Sequence, residues 1–120
     1  MEFLSLYTPA RKTAGVPPSQ DHMAGMEKLI EESMKAGVLL ATGGLLSIAQ
    51  GACLRRSGGE TTLIDGPFIE TKEVVGGFAV LEAKSKEEAI EMVRTFLKIA
   101  GDGECELRQM MEPVGDFPQP

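Results

Sequence analysis

Alternation opens the chain. In residues 2–8, Phe3, Ser5 and Tyr7 fall on one face and Leu4, Leu6 and Thr8 on the other, which predicts a strand. A stretch of Pro, Gly and Thr follows, and then the period lengthens. Met23, Met26, Ile30 and Met34, with Leu29 beside them, make one stripe, while Glu27, Lys28, Glu31, Glu32 and Lys35 lie opposite. Ser19 is placed to cap this helix, which runs to Lys35, and Gly37 to stop it. A Met stripe at this spacing reads as core rather than as a cofactor contact. A second strand over 38–42 is expected to break at Gly43-Gly44. Residues 51–57 and 60–65 then read as a hairpin around Ser57-Gly58-Gly59, because adjacent glycines accept the positive φ of tight hairpin turns. The clearest strand is 74–82. A second helix begins at Ser85, where Ser85 with Glu88 spells a capping box. Ala89, Ile90, Val93, Leu97 and Ala100 form its expected buried side, and Gly101 ends it. Residues 104–111 predict a last strand, and the tail from Pro113 reads as irregular.

Strand, helix, strand, inserted hairpin, strand, helix, strand is the split βαβ order. It predicts an α+β, ferredoxin-like βαββαβ domain over 1–112, with both helices on one face of an antiparallel sheet. Two helices cover one face only. The run VVGGFAVL at 74–81 is nevertheless apolar on both, with Val75, Ala79 and Leu81 on one side and Val74, Phe78 and Val80 on the other. A second copy of the chain is the simplest cover, giving a homodimer closed as a dimeric α/β barrel.

Composition narrows the functions. A net charge of −6 over 120 residues argues against nucleic acid or an anionic membrane as partner, and Arg55-Arg56 is the only basic pair on a predicted strand. No apolar run approaches the ~20 residues of a membrane span. The start MEFLSLYTP lacks the basic opening and long apolar centre of a signal peptide, so a cytoplasmic location is expected. Cys53 and Cys105 stand in no CxxC arrangement and read as free thiols. With a single histidine, His22, no metal site is expected. No GxGxxG, GxxxxGK or GxSxG occurs, so no cofactor and no serine nucleophile are expected.

The stretch TLIDGPFIETKEVVGGF, residues 61–77, carries the candidate chemistry. Asp65 falls where the hairpin's second strand ends, Gly66 precedes a proline, Pro67 removes a backbone donor, and Phe68 can fold back onto the core. Two roles for Asp65 stay open: holding the turn through backbone N–H groups, or doing so while also facing a cavity. Glu70, Lys72 and Glu73 are either an exposed loop or a pocket rim. Tyr7, the single tyrosine, is expected half-buried at a strand end, with its hydroxyl needing a partner.

Asp65-Gly66-Pro67-Phe68, followed by Glu70, Lys72-Glu73 and Gly76-Gly77-Phe78, resembles the signature of the DGPF-domain, or YCII-related, proteins. KAGVLLATGGL before it and KSKEEAIEMVRTF after it fit as well, so the resemblance spans residues 1 to about 112. It implies a ferredoxin-like dimeric α/β barrel of mostly unassigned function, often encoded near extracytoplasmic-function sigma factors. Some relatives use a His and an Asp in a cleft, and one removes chloride from a chlorinated hydroxyquinol. The resemblance makes Asp65 and His22 the catalytic candidates. The helix histidine of such relatives lies about three turns before the helix-ending glycine, a place held here by Met26. His22 stands one turn earlier on the same face, either reaching the same cavity or solvated in the first turn. Tyr7, Phe68, Glu70 and Lys72 are the candidate substrate contacts. Two functions follow: cofactor-independent acid/base chemistry on a small cyclic or aromatic compound, or a non-catalytic dimer that binds a small ligand or a regulatory partner, such as a sigma-factor system.

Overall fold

Both helices start where their serines predict. The computed structural model describes residues 1–10, 19–46, 50–64 and 75–111. In chain order these form β1 (Glu2–Pro9), α1 (Gln20–Lys35), β2 (Leu39–Gly44), β3 (Cys53–Ser57), β4 (Glu60–Ile64), β5 (Gly77–Glu82), α2 (Lys86–Ala100) and β6 (Gly103–Gln109). The Ser19 hydroxyl accepts from His22 N at 3.1 Å, and the Ser85 hydroxyl accepts from Glu88 N at 3.1 Å. The capping box is only half made: the Glu88 carboxylate reaches back to Lys84 N, at 3.4 Å, instead of Ser85 N. At the far ends Gly37 and Gly101 take φ of 75° and 92°, the left-handed region that a Cβ disfavours.

Four strands make one antiparallel sheet in the order β2-β5-β1-β6. Because β5 lies between β1 and β2, this is the split βαβ arrangement, and the fold is ferredoxin-like α+β. Register fixes the faces. Phe3 sits opposite Leu81 and Ser5 opposite Ala79 and Leu107, on the helix side. Leu4 sits opposite Val80 and Arg108, and Leu6 opposite Phe78 and Glu106, on the other side. Among the described residues, β3 and β4 pair only with each other, through a Gly58-Gly59 turn with both φ positive, 60° and 85°.

The core lies between the helices and the sheet. Phe3, Leu39, Leu81, Ala83 and Ala89 are buried, and Ile30, Ala79, Met92, Val93 and Leu107 pack around them. Phe3 is 2% exposed, and burying such a side chain is worth about 1.5–3 kcal/mol. The helices meet closely where Gly25 of α1 passes Ile99 of α2; an added Cβ at Gly25 would come within 3.5 Å of its methyl.

Some boundaries and faces differ from the sequence expectation. β2 does not break at Gly43-Gly44 but runs through both, because Gly43 pairs with Phe78 and Gly44 with Gly77. Ladder pairing outweighs the weak strand preference of glycine there. β5 starts at Gly77 rather than 74, and β6 covers 103–109 rather than 104–111. The Met stripe of α1 is not a sealed core. The helix has no buried residue, and Met23 and Met34 are 56% and 48% exposed. On α2, Ala89 is buried as expected, but Met92 and Phe96, absent from the expected stripe, face inward with Val93. Cys53 and Cys105 are free thiols, exposed and half-buried respectively.

Candidate functional site

α1 fails to seal because a cavity of about 880 Å³ lies beneath it, within the size range of small-molecule sites. The sheet supplies Ser5, Tyr7, Thr42, Ala79 and Leu81. From α1 come His22, Met23, Met26, Leu29 and Ile30, and from α2 Met92, Val93 and Phe96. The walls are thus mostly thioether and hydrocarbon, surfaces that adapt to flat or irregular ligands. Among the described residues lining the cavity, His22, Glu27 and Tyr7 can ionise and none is Lys or Arg. The described walls therefore offer no Lys or Arg to offset the desolvation of a phosphate or carboxylate ligand.

Tyr7 sits where β1 ends. Its hydroxyl donates to Asp102 O at 3.3 Å, and its ring meets Phe96 edge-on, with centroids 5.2 Å apart at 83°. Space for the ring comes from Gly103: a Cβ there would lie 2.6 Å from Thr8 O and 2.8 Å from Tyr7 Cε1. Burial pushes the Tyr7 phenol above its usual value, and the nearby Cys105 and Asp102 push it further. The Cys105 thiol is also raised, chiefly by burial, although a hydrogen bond with the Ser5 side chain pulls it partly back. A thiol held neutral in this way is a packing group, not a nucleophile. Thr42 Oγ1 donates to Phe78 O at 2.8 Å, so that hydroxyl spends its proton on the sheet.

His22 is the third residue of α1, with its backbone N–H held by Ser19, and it shares the cavity wall with Met26 one turn later. The structure thus brings two of the six sequence candidates, Tyr7 and His22, to one cavity. Asp65, Phe68, Glu70 and Lys72 lie outside the described residues. Flanking them, Ile64 ends β4 and Val75-Gly76 lead into β5. Gly76 lines the cavity, and its N–H donates to Tyr7 O at 2.7 Å. Sequence reading missed Phe96 and Met92 as walls, although their i, i+4 spacing beside Val93 was a usable signal. Among the described residues, no group of three or more His, Cys, Asp or Glu could hold a metal ion.

The YCII-related domain model matches residues 1–112. The chain belongs to the YCII-related family. One relative is an uncharacterised protein of Rhizobium meliloti (strain 1021), 36% identical over 72 residues, which are 60% of this chain and 58% of that protein. The match therefore spans less than two thirds of that relative's length. Among solved structures, this YCII-related chain is similar to 5-chloro-2-hydroxyhydroquinone dehydrochlorinase from Burkholderia phenoliruptrix AC1100, in complex with 2,5-dihydroxybenzoquinone. The TM-score is 0.54 over 92% of this chain and 94% of that one, at 18% identity, a likeness of fold alone. Among the described residues, no helix is long and apolar enough to cross a membrane.

Proposed function

We propose that this YCII-related protein is a small-molecule-binding dimeric barrel that carries out acid/base chemistry, without a cofactor, on a small cyclic or aromatic compound. The observation that carries the reading is that one cavity, walled by Met23, Met26 and Phe96, holds both His22 and Tyr7. Apolar walls with a few polar groups suit a neutral ring bearing hydroxyl or keto oxygens. The similarly folded dehydrochlorinase, seen with a dihydroxybenzoquinone, makes that class reasonable. In this reading His22 moves a proton to or from the ligand, and Asp65 of the DGPF motif orients the imidazole or serves as base. Such a step contributes ~10²–10⁴-fold in rate. Tyr7, Phe68, Glu70 and Lys72 are the proposed substrate contacts.

Binding of hydroquinones and their carboxylated analogues, followed by calorimetry and by methyl NMR of the methionines, tests the proposal. The neutral rings are expected to bind and to shift Met23 and Met26, and the carboxylated ones to bind far less. Turnover lost in His22→Gln with binding kept supports catalysis. Binding without turnover in the wild type makes the protein the non-catalytic binding dimer, and equal affinity for both ligand sets overturns the site.

A further inference from the structure

Among the described residues, the β3–β4 hairpin stands as a sheet of its own. It pairs with no strand of the four-stranded sheet, and an isolated two-stranded hairpin is marginal in water. Register sets Leu54 directly opposite Leu63, 63% and 55% exposed, and Arg56 opposite Thr61 on the same face. Arg56 Nη1 donates to Thr61 Oγ1 at 3.2 Å, which holds the guanidinium beside the two leucines. Arg55 and Arg56 outweigh Glu60, so the hairpin carries a positive charge in a chain whose net charge is −6.

The helix-free face of the large sheet has the opposite character. Leu4, Leu6, Phe78 and Val80 form a half-buried apolar centre. Glu2 sits opposite Glu82, Leu6 opposite Glu106 and Thr8 opposite Glu104, so acids flank that centre, with Arg108 the one base among them. Arg108 is paired with Glu106 at 3.0 Å and Glu82 with the N-terminal ammonium at 3.0 Å, which leaves the rim acidic overall.

We infer that the hairpin is an arm that grips a second copy of this chain, its Leu54–Leu63–Arg56 face lapping the acidic rim of the partner's sheet. The inference rests on the dimer proposed above and deepens it. Two copies of an acidic chain repel, and a basic arm set against an acidic rim offsets that repulsion while fixing orientation. Each copy offers one arm and one rim, so a two-fold axis satisfies both contacts at once and the assembly closes.

Sedimentation equilibrium of the full chain tests this, with Leu54→Ser/Leu63→Ser and Arg55→Glu/Arg56→Glu as variants and circular dichroism as the check on folding. Both variants are expected to stay folded and to weaken dimerisation at least about tenfold. Wild-type association should also weaken with added salt, and that dependence should vanish in the arginine variant. Unchanged dimerisation in both variants overturns the arm and leaves the dimer standing. A wild type that stays monomeric overturns the dimer and the arm together. Loss of folding in the serine variant also overturns the arm, because it places the leucines in the chain's own core. The arginine variant, altering exposed residues only, then reports on the acidic rim independently.

Discussion

The Tyr7 and Phe96 rings meet edge to face, their centroids 5.2 Å apart, joining the end of β1 to the last turns of α2 at the cavity wall. An edge-to-face pair of this kind is worth about 0.5–1.5 kcal/mol beyond the area it buries. Phe96→Ala should therefore cost about 2–3 kcal/mol, less than a fully sealed Phe because the site is already hollow on one side. Tyr7→Phe keeps the ring contact and loses only the 3.3 Å bond to Asp102 O, so about 0.5 kcal/mol is expected. Denaturant melts of the two variants check the ranking; a larger loss for Tyr7→Phe would mean that the hydroxyl, not the ring, holds this corner.

Gly103 is the tightest backbone approach around that ring. Ala there would drive a Cβ against Thr8 O, and the Tyr7 ring would have to move with the strand. Gly103→Ala should destabilise by about 1–3 kcal/mol and change the near-ultraviolet signal of the single tyrosine. A neutral substitution with an unchanged spectrum would refute the close approach.

Alkaline pH should loosen the same corner. Tyr7 and Cys105 both have folded values raised above their ordinary ones, 10.0 and 9.0, so folding favours their protonated forms. Their stabilising contribution is whole below those values. It is lost as pH rises through the higher folded ones, because the unfolded chain ionises first. Melting temperature is thus expected to fall above about pH 9. In Cys105→Ala the tyrosinate absorbance should appear at lower pH, since Cys105 is one cause of the Tyr7 shift.

Phe78→Asp or Val80→Asp should dissociate or unfold the protein by placing an unpaired charge in the proposed sheet-to-sheet contact. Light scattering at micromolar protein reads this directly. Both variants staying dimeric would mean that the helix-free face is not the interface, and a wild type of 12.9 kDa would remove the barrel.

Asp65→Asn separates a turn from a turn that is also a wall. A purely structural aspartate loses on the order of 1 kcal/mol and leaves ligand binding untouched. An aspartate that faces His22 instead moves the imidazole NMR resonances and changes binding or turnover by far more than it changes the melt. The second outcome is expected.

Local signals made the elements legible. Ser19 and Ser85 begin helices, Gly37 and Gly101 end them, and Gly58-Gly59 turns a hairpin, because each acts through its own backbone. Gly43-Gly44 misled for the complementary reason: whether a glycine pair stays in a strand depends on the strand beside it. The α1 stripe was legible as one face of a helix but not as the wall of a void. Periodicity gives which side turns inward and not whether anything fills the inside. Tyr7 and His22 lie on different elements, and only the seating of α1 against α2 and β2 brings them to one cavity.

The void has a thermodynamic consequence for α1. A helix with no buried residue is anchored mainly by its caps, its surface ion pairs and its partial contacts with α2 and β2. Its amides should exchange with solvent faster than those of α2, where Ala89 is fully enclosed. A molecule in the cavity would supply the missing interior, so occupancy should slow exchange in α1 selectively and raise the melting point in step with affinity. A ligand bound there would act as the last piece of the hydrophobic core, so that affinity and fold stability would rise together.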